Sequence, residues 1–398
     1  MIAVAGRRVA ARRRPAAAPE LHFELPHERS ATVPPEARGL ERDGVSLLVA
    51  EPERTRHVRF RELPAFLRPG DLLVVNTSKT LAAALDGWRG SPGAAGGEAR
   101  SATYGFLANR KKSIGRGLGM GEVREPGRRP VTVHFSTALD GGEYAVELRP
   151  PGRATGPVRD AVAGERVSLP GDTTLTLLEP YPDTSVKAPR LWRAESSAAE
   201  HVAGLLSRYG RPIAYGYVEG RWPLEAYQTV FARHPGSAEM PSAGRPFTER
   251  LVTSLVSAGV QIAPIVLHTG VSSLEDGEPP LPERFRVPRA TALRVNATRE
   301  WGGRVVAVGT TTARALETVA GTNRTVMAGE GWTDLVLGRD RRTRVVDGLV
   351  TGWHAPGASH LSLLEAVAGP ELVERAYAEA LATGYLWHEF GDTCLLLP

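Results

Sequence analysis

Two histidines, two aspartates and a run of threonines stand where short apolar runs end, and these residue types can move protons and hold a polar ligand. His268 follows the run IAPIVL and precedes Thr269 and Gly270, and His354 follows Thr351, Gly352 and Trp353. A free imidazole titrates at about 6.5, so either can exchange a proton near neutrality. Asp347 stands before a glycine and Asp392 after one. A carboxylate there can orient a ribose hydroxyl or hold a histidine tautomer, and it can equally serve as an ordinary turn residue. Thr310, Thr311 and Thr312 follow Gly309 in RVVAVGTTTARALETV, residues 304–319, with Arg314 just beyond. The β-branched run 304–308 reads as a buried strand, the glycine and threonines as a turn, and 313–317 as helix. A strand that ends in hydroxyls and feeds a helix amino terminus gathers donors for an anion or carboxylate. A basic residue on a first helical turn opposes the dipole, which favours an anionic partner for Arg314. Asn76, at the end of LLVVN, is a further polar residue at a strand terminus.

The elements that must position these residues follow two patterns. From residue 197 onward the pattern is α/β. Helices are expected at 198–209, at 247–258 with Thr248 as cap and Gly259 as stop, at 288–301 opened by Pro288, at 359–368 capped by Ser359, and at 370–383 opened by Pro370. Strands are expected at 260–267, 304–308, 343–346, 349–351 and 393–397, and earlier at 21–25, 45–49 and 72–76. Residues 103–178 lack helical periodicity. They carry short alternating runs at 103–107, 131–135, 144–148 and 174–178, separated by Gly, Pro and Arg, which is the pattern of a small barrel. Gly115, Gly117, Gly119 and Gly121 alternate as they would where backbones approach closely. The fold class expected is α/β: a split α/β domain, 20–85 and 191–398, with an inserted all-β, barrel-like domain, 86–190. The alanine- and arginine-rich residues 1–19 read as a disordered basic tail.

At 398 residues the chain exceeds what one core usually organises, and 42% hydrophobic with 23% charged residues is a globular composition. The net charge of +5 is too small to name a partner. No apolar run is long enough to span a bilayer and the start lacks the apolar segment of a secretory signal, so a cytoplasmic, non-membrane protein is expected. Cys394 is the single cysteine, which excludes an internal disulfide and a cysteine-rich metal site. There is no HExxH, no phosphate loop ending Gly-Lys-Ser or Gly-Lys-Thr, and no dinucleotide fingerprint. His354 and His360 are too few ligands to argue for zinc, so no metal is expected.

Several of these stretches, taken in order, resemble one family. LRPGDLLVVN (67–76), YQTVFA (227–232), PSAGRPFT (241–248), His268 with Gly270, VGTTTARALE (308–317), VDGLVTGWHAP (346–356) and YLWHEFGDTCL (385–395) make the chain similar to the S-adenosylmethionine:tRNA ribosyltransferase-isomerases of queuosine synthesis. The collinear set spans nearly everything from about residue 20 onward. The resemblance implies a split α/β domain with an inserted barrel. It also implies S-adenosylmethionine as a ribosyl-donating substrate, no separate cofactor, and an aminomethyl deazaguanine in tRNA as acceptor, with adenine and methionine leaving and epoxyqueuosine remaining. A sulfonium acidifies the neighbouring C5′ hydrogens, so such a site needs a base there. His354, His268, Asp392 and Asp347 are the candidates for proton transfer and orientation. Asn76, Thr310, Thr311, Thr312, Arg314, Tyr385 and Gly391 are the candidates for substrate contact, and Arg110, Lys111, Lys112 and Arg116 for tRNA. A monomer or homodimer is expected. The family's Asn-Asp-Thr-Arg is here Asn76-Thr77-Ser78-Lys79, its Gly-Leu-His-Phe-Thr is Gly244-Arg245-Pro246-Phe247-Thr248, and its Phe-Ser-Tyr is His388-Glu389-Phe390. These changes leave two alternatives beside the tRNA reaction: a divergent enzyme acting on a small-molecule or nucleoside acceptor, and a non-catalytic nucleoside- or RNA-binding protein.

Overall fold

The computed structural model describes residues 21–90, 128–152, 156–198, 202–272 and 278–398. The tail, the runs 103–107, the alternating glycines and the basic cluster Arg110, Lys111, Lys112 and Arg116 lie outside the described residues. The chain opens with the hairpin β1 (Ser46–Glu51) and β2 (Arg54–Arg59), then β3 (Leu72–Asn76) and β4 (Ser78–Thr80). Six strands follow: β5 (Ala84–Arg89), β6 (Arg129–Ala138), β7 (Tyr144–Arg149), β8 (Arg166–Leu169), β9 (Thr173–Tyr181) and β10 (Leu191–Ser196). Next come α1 (Val202–Tyr209), β11 (His234–Ser237), α2 (Glu249–Ser257), β12 (Gln261–His268), β13 (Glu283–Val287) and α3 (Arg289–Glu300). The chain ends through β14 (Val305–Val308), α4 (Thr310–Thr318), β15 (Gly329–Thr333), β16 (Gly348–Gly352), α5 (His360–Ala368), α6 (Pro370–Thr383) and β17 (Thr393–Leu396).

Alternation along the central strands builds the layers. Leu72 and Val74 of β3 join Val305 and Ala307 of β14 in a core closed by α3, α4, α5 and α6. Leu73 and Val75 join Val306 and Val308 on the other face, with Phe247, Leu251 and Leu255. Both faces are therefore apolar, which is why these strands read as continuous hydrophobic runs. The nine-stranded sheet has the order β15-β13-β12-β3-β14-β16-β17-β1-β2. Its centre, β12-β3-β14-β16, is parallel, so four carboxyl ends meet at one edge.

Strands β5 to β10 close into an antiparallel barrel of order β10-β7-β6-β5-β8-β9, as the fold class expected. The barrel starts at Ala84 and ends at Ser196, so the edges expected at 86 and 190 move outward to take in all of β5 and β10. Fully buried Glu147 accepts from Arg149 at 2.6 Å and Arg190 at 2.8 Å. Arg190 also reaches Glu278 at 3.0 Å, beyond the barrel. Among the described residues no helix is long and apolar enough to cross a membrane.

Four local expectations change. Residues 21–25 half-bury alternate side chains, with Phe23 5.3 Å from Tyr377, but they form no ladder. Ser359 has α-helical dihedrals and its side chain caps nothing. The threonines after Gly309 are already the first turn of α4. Residues 343–346 form no strand, because the Glu317 carboxylate accepts the amides of Arg344, Val345 and Val346 at 2.8, 2.9 and 3.0 Å. Glu317→Ala removes that acceptor from buried amides and is expected to lower unfolding stability by roughly 3 kcal/mol. Urea denaturation checks this, and a loss below about 1 kcal/mol would show that the segment finds other partners.

Candidate functional site

Gly309 makes the turn from β14 into α4 on its own. Its φ of 93° and ψ of 150° lie where a side chain is strained, and they let the helix start immediately after the strand. Thr310 and Thr311 thereby reach the wall of a cleft of about 330 Å³ at the carboxyl edge of the parallel strands. That is the edge at which open α/β sheets take ligands, and the volume lies at the lower end of the usual range. Thr312 is fully buried on the inner side and its hydroxyl donates to the Val308 carbonyl at 2.8 Å.

Arg314 lines the cleft floor, yet its guanidinium is engaged by the protein. It donates to Glu283 at 2.5 Å and to the carbonyls of Leu335, Leu281 and Thr333 at 2.9, 2.8 and 3.1 Å. The anionic partner inferred for it is thus Glu283, and its geometry is that of a residue positioning α4 against β13. Asn76 is also a bracket. Its amide donates to Leu267 O at 2.8 Å and accepts from Leu267 N and Ser78 N at 3.1 and 3.0 Å, locking β3 to β12 behind the cleft.

The aspartates are occupied elsewhere. Asp347 precedes β16 at the opposite edge of the sheet, 3.1 Å from Arg299 and accepting from Val305 N at 3.0 Å. Asp392 accepts from Ser46 N at 2.7 Å and Leu386 N at 2.9 Å, joining β17, β1 and the loop before it. Tyr385 meets His57 at 3.0 Å and packs edge-on against Trp353, off the cleft wall. A Cβ at Gly391 would stand 2.3 Å from Leu386 O, so only glycine lets that loop close.

The two histidines part company. His268 lies beneath the rim, its Nδ1 2.7 Å from the Ser78 hydroxyl, and burial with nearby Arg284 lowers its pKa to about 4. His354 is on the wall. Its Nε2 is 3.1 Å from Thr351 Oγ1 and its ring stacks on His360 at 4.5 Å with an interplanar angle of 2°. Burial holds His354 well below the usual imidazole range and lowers His360 to about 4, so both are neutral at pH 7. Neutral imidazoles can accept a proton or a hydrogen bond from a ligand.

Two tyrosine–carboxylate pairs complete the wall, and sequence reasoning missed both. Tyr215 donates to Glu239, which also accepts from Ser272 N at 2.8 Å and Ser272 Oγ at 2.5 Å. Tyr217 donates to Glu389 at 2.5 Å, and its ring stacks on His388 at 4.0 Å. Burial raises Glu239 and Glu283, and pushes Glu389 up to about 7. The one signal available was that His388-Glu389-Phe390 interrupts a matched motif. Tyr217 and Glu389 are 172 residues apart and Tyr215 and Glu239 are 24 apart, beyond any local pattern.

A family model described as queuosine biosynthesis protein matches residues 18–396. The chain belongs to that family. The S-adenosylmethionine:tRNA ribosyltransferase-isomerase of Symbiobacterium thermophilum is 34% identical over 389 residues, covering 95% of this chain and 99% of the relative. That of Moorella thermoacetica is 33% identical over 408 residues, with 95% and 99% covered. A crystal structure of an S-adenosylmethionine tRNA ribosyltransferase from Thermotoga maritima is 27% identical, with 94% of this chain and 99% of that one covered and a TM-score of 0.47. His388 and Glu389 lie on the cleft wall.

Arg314→Ala is expected to lower stability without ligand by about 3–5 kcal/mol, since it strands Glu283 and removes donors from buried carbonyls. Urea unfolding without ligand checks this, and an unchanged midpoint would mean that Arg314 is free for a ligand. The Glu389 carboxyl rises on folding from 4.5 to about 7, so the folded state holds the extra proton. Its contribution to stability is fully present below pH 4.5 and lost as pH rises through 7. Glu389→Gln should remove that loss, flattening stability against pH across this window, and an unchanged slope would refute it.

Proposed function

We propose that this protein is an S-adenosylmethionine-dependent ribosyltransferase-isomerase. It transfers and rearranges the ribosyl group of S-adenosylmethionine onto 7-aminomethyl-7-deazaguanine in tRNA, releasing adenine and methionine and leaving epoxyqueuosine. Family membership over nearly the whole chain supports the reading. The observation that carries it is the make-up of the cleft lining, which combines Thr310 and Thr311 at the α4 amino terminus with Glu239 and Glu389. A helix amino terminus suits the carboxylate of S-adenosylmethionine, and carboxylates suit its sulfonium and ammonium. His354 and His360, neutral and stacked, suit hydrogen bonding to the ribose and contact with the adenine ring. S-adenosylmethionine is substrate here and no separate cofactor is proposed. A tRNA acceptor places the reaction in the cytoplasm.

A second reading, a small-molecule or nucleoside acceptor, is favoured by one observation. The wall carries Glu389 where the resembling family has serine, so the chemistry facing the ligand has changed while the scaffold has not.

Enzyme and S-adenosylmethionine are incubated with tRNA bearing the aminomethyl deazaguanine, with the free base, and alone, and adenine and methionine are measured by chromatography. The tRNA reading predicts release that depends on the modified tRNA and weakens as salt rises, because phosphate contacts release counterions. His354→Gln should lower that release by roughly a hundredfold. Release that ignores tRNA, with no mass gain on its wobble base, would transfer the assignment to the small-acceptor reading.

A further inference from the structure

The cleft holds several carboxylates, and the donors around each decide which can act as a base. Glu283 faces the guanidinium of Arg314 at 2.5 Å. Glu239 accepts from Tyr215 and twice from Ser272. Behind the wall, Asp392 accepts two backbone amides. Burial raises all three, and the donors around each are committed to holding its oxygens in place within the protein. Glu389 differs. Its side chain accepts from Tyr217, with its own amide nearby, and among the described residues it makes no ion pair.

The backbone holds Glu389 in that position. His388 has a φ of 73°, a left-handed conformation that a non-glycine residue adopts at a cost of order 1–3 kcal/mol. Its neighbours enforce it. Trp387 is fully buried and its indole donates to His354 O at 3.0 Å, and Phe390 is buried against Tyr227 at 5.1 Å. Between these two anchors the chain places Glu389 on the cleft wall, with the His388 ring stacked on the tyrosine that serves it.

We propose that Glu389 is the proton acceptor of the cleft, taking a hydrogen from the carbon bonded to the sulfonium sulfur. The inference rests on the S-adenosylmethionine reading above. The C5′–H bond breaks, its electron pair stays on C5′ beside the positive sulfur, and the proton forms an O–H bond at Glu389. A sulfonium and a carboxylate become an ylide and a carboxylic acid, so charge is conserved. The groups facing Glu389 are Tyr217, His388, Glu239 and Arg245, with His354 across from His388. Arg245 is engaged by Glu36 at 2.9 Å and by Ala226 O at 2.9 Å, and lies over the Phe390 ring, so its attraction for Glu389 acts through space and is outweighed by burial. Burial pushes Glu389 up to about 7, where a base works best at neutral pH.

The test is hydrogen exchange at C5′ of S-adenosylmethionine in deuterated buffer, followed by NMR, with and without tRNA bearing the aminomethyl deazaguanine, alongside calorimetry of S-adenosylmethionine binding. The wild-type protein should bind and exchange C5′, with a rate that rises as pH increases through about 7. Glu389→Gln should retain saturable, if weaker, binding and, at saturating S-adenosylmethionine, exchange roughly a hundredfold more slowly or worse. Tyr217→Phe removes a bond to the charged form and should move the pH profile upward while keeping much of the limiting rate, a shift that a merely structural tyrosine would not cause. Exchange at the wild-type rate in Glu389→Gln, or a wild-type protein that binds without exchanging under either condition, overturns the inference alone. A wild-type protein that does not bind S-adenosylmethionine overturns the reading beneath it.

Discussion

The cleft depends on one buried cation. Arg314 lies 5% exposed inside α4, and its planar fork meets one carboxylate and three carbonyls from segments that are far apart in the chain. Such a charge is tolerable away from water only when its donors are filled, and the rigid guanidinium fork fills them without flexibility. The result is that α4 cannot slide relative to β13 or to the segment after β15. Thr310 and Thr311 are therefore presented at a set height above the sheet edge.

The barrel takes part in the same arrangement. Ser136 of β6 accepts from Val271 N at 3.0 Å, and a Cβ on Gly270 would come within 2.7 Å of the serine oxygen. The loop after β12 is thus held against the barrel, and it is this loop that brings Ser272 to Glu239. Arg190, seated on Glu147 in the barrel, reaches Ser272 O at 3.1 Å and adds a second tie. The cleft rim is in this way a shared product of both units: sheet ends form the floor and barrel contacts steady one wall.

Charge is distributed by a simple physical rule. Buried carboxylates elsewhere are met by arginines or rows of amides, as Asp71 is by Arg304 at 2.6 Å and Arg68 N at 2.8 Å, which overcome its burial and hold it below the usual range. On the cleft wall the donors are mostly tyrosine and serine hydroxyls, which stabilise an anion less than a guanidinium does. Glu239 and Glu389 consequently sit above the usual range, and the histidines beside them sit below theirs. Burial thus shifts the carboxylates and the imidazoles of the wall alike toward their neutral forms.

The layered α/β core was legible from residue order because an unbroken apolar run, as along 72–76, 304–308 and 393–397, is a local property of each strand. The barrel was legible in kind, from short alternating runs without helical period. Its first and last strands were not, since Ala84–Arg89 and Leu191–Ser196 owe their pairing to each other's neighbours rather than to their own composition. Motif order was sufficient to name the family, and of the candidates it offered, His354, Thr310 and Thr311 line the cleft. Whether a polar residue faces ligand or protein was decided only by packing. Arg314, Asn76, Asp347 and Asp392 look chemically available in sequence and are engaged by groups of the chain itself. Tyr217 and Glu389 look ordinary and are brought together across 172 residues. Hydrophobic period is written within a few neighbouring residues, whereas the partner of a buried charge is chosen by the tertiary fold.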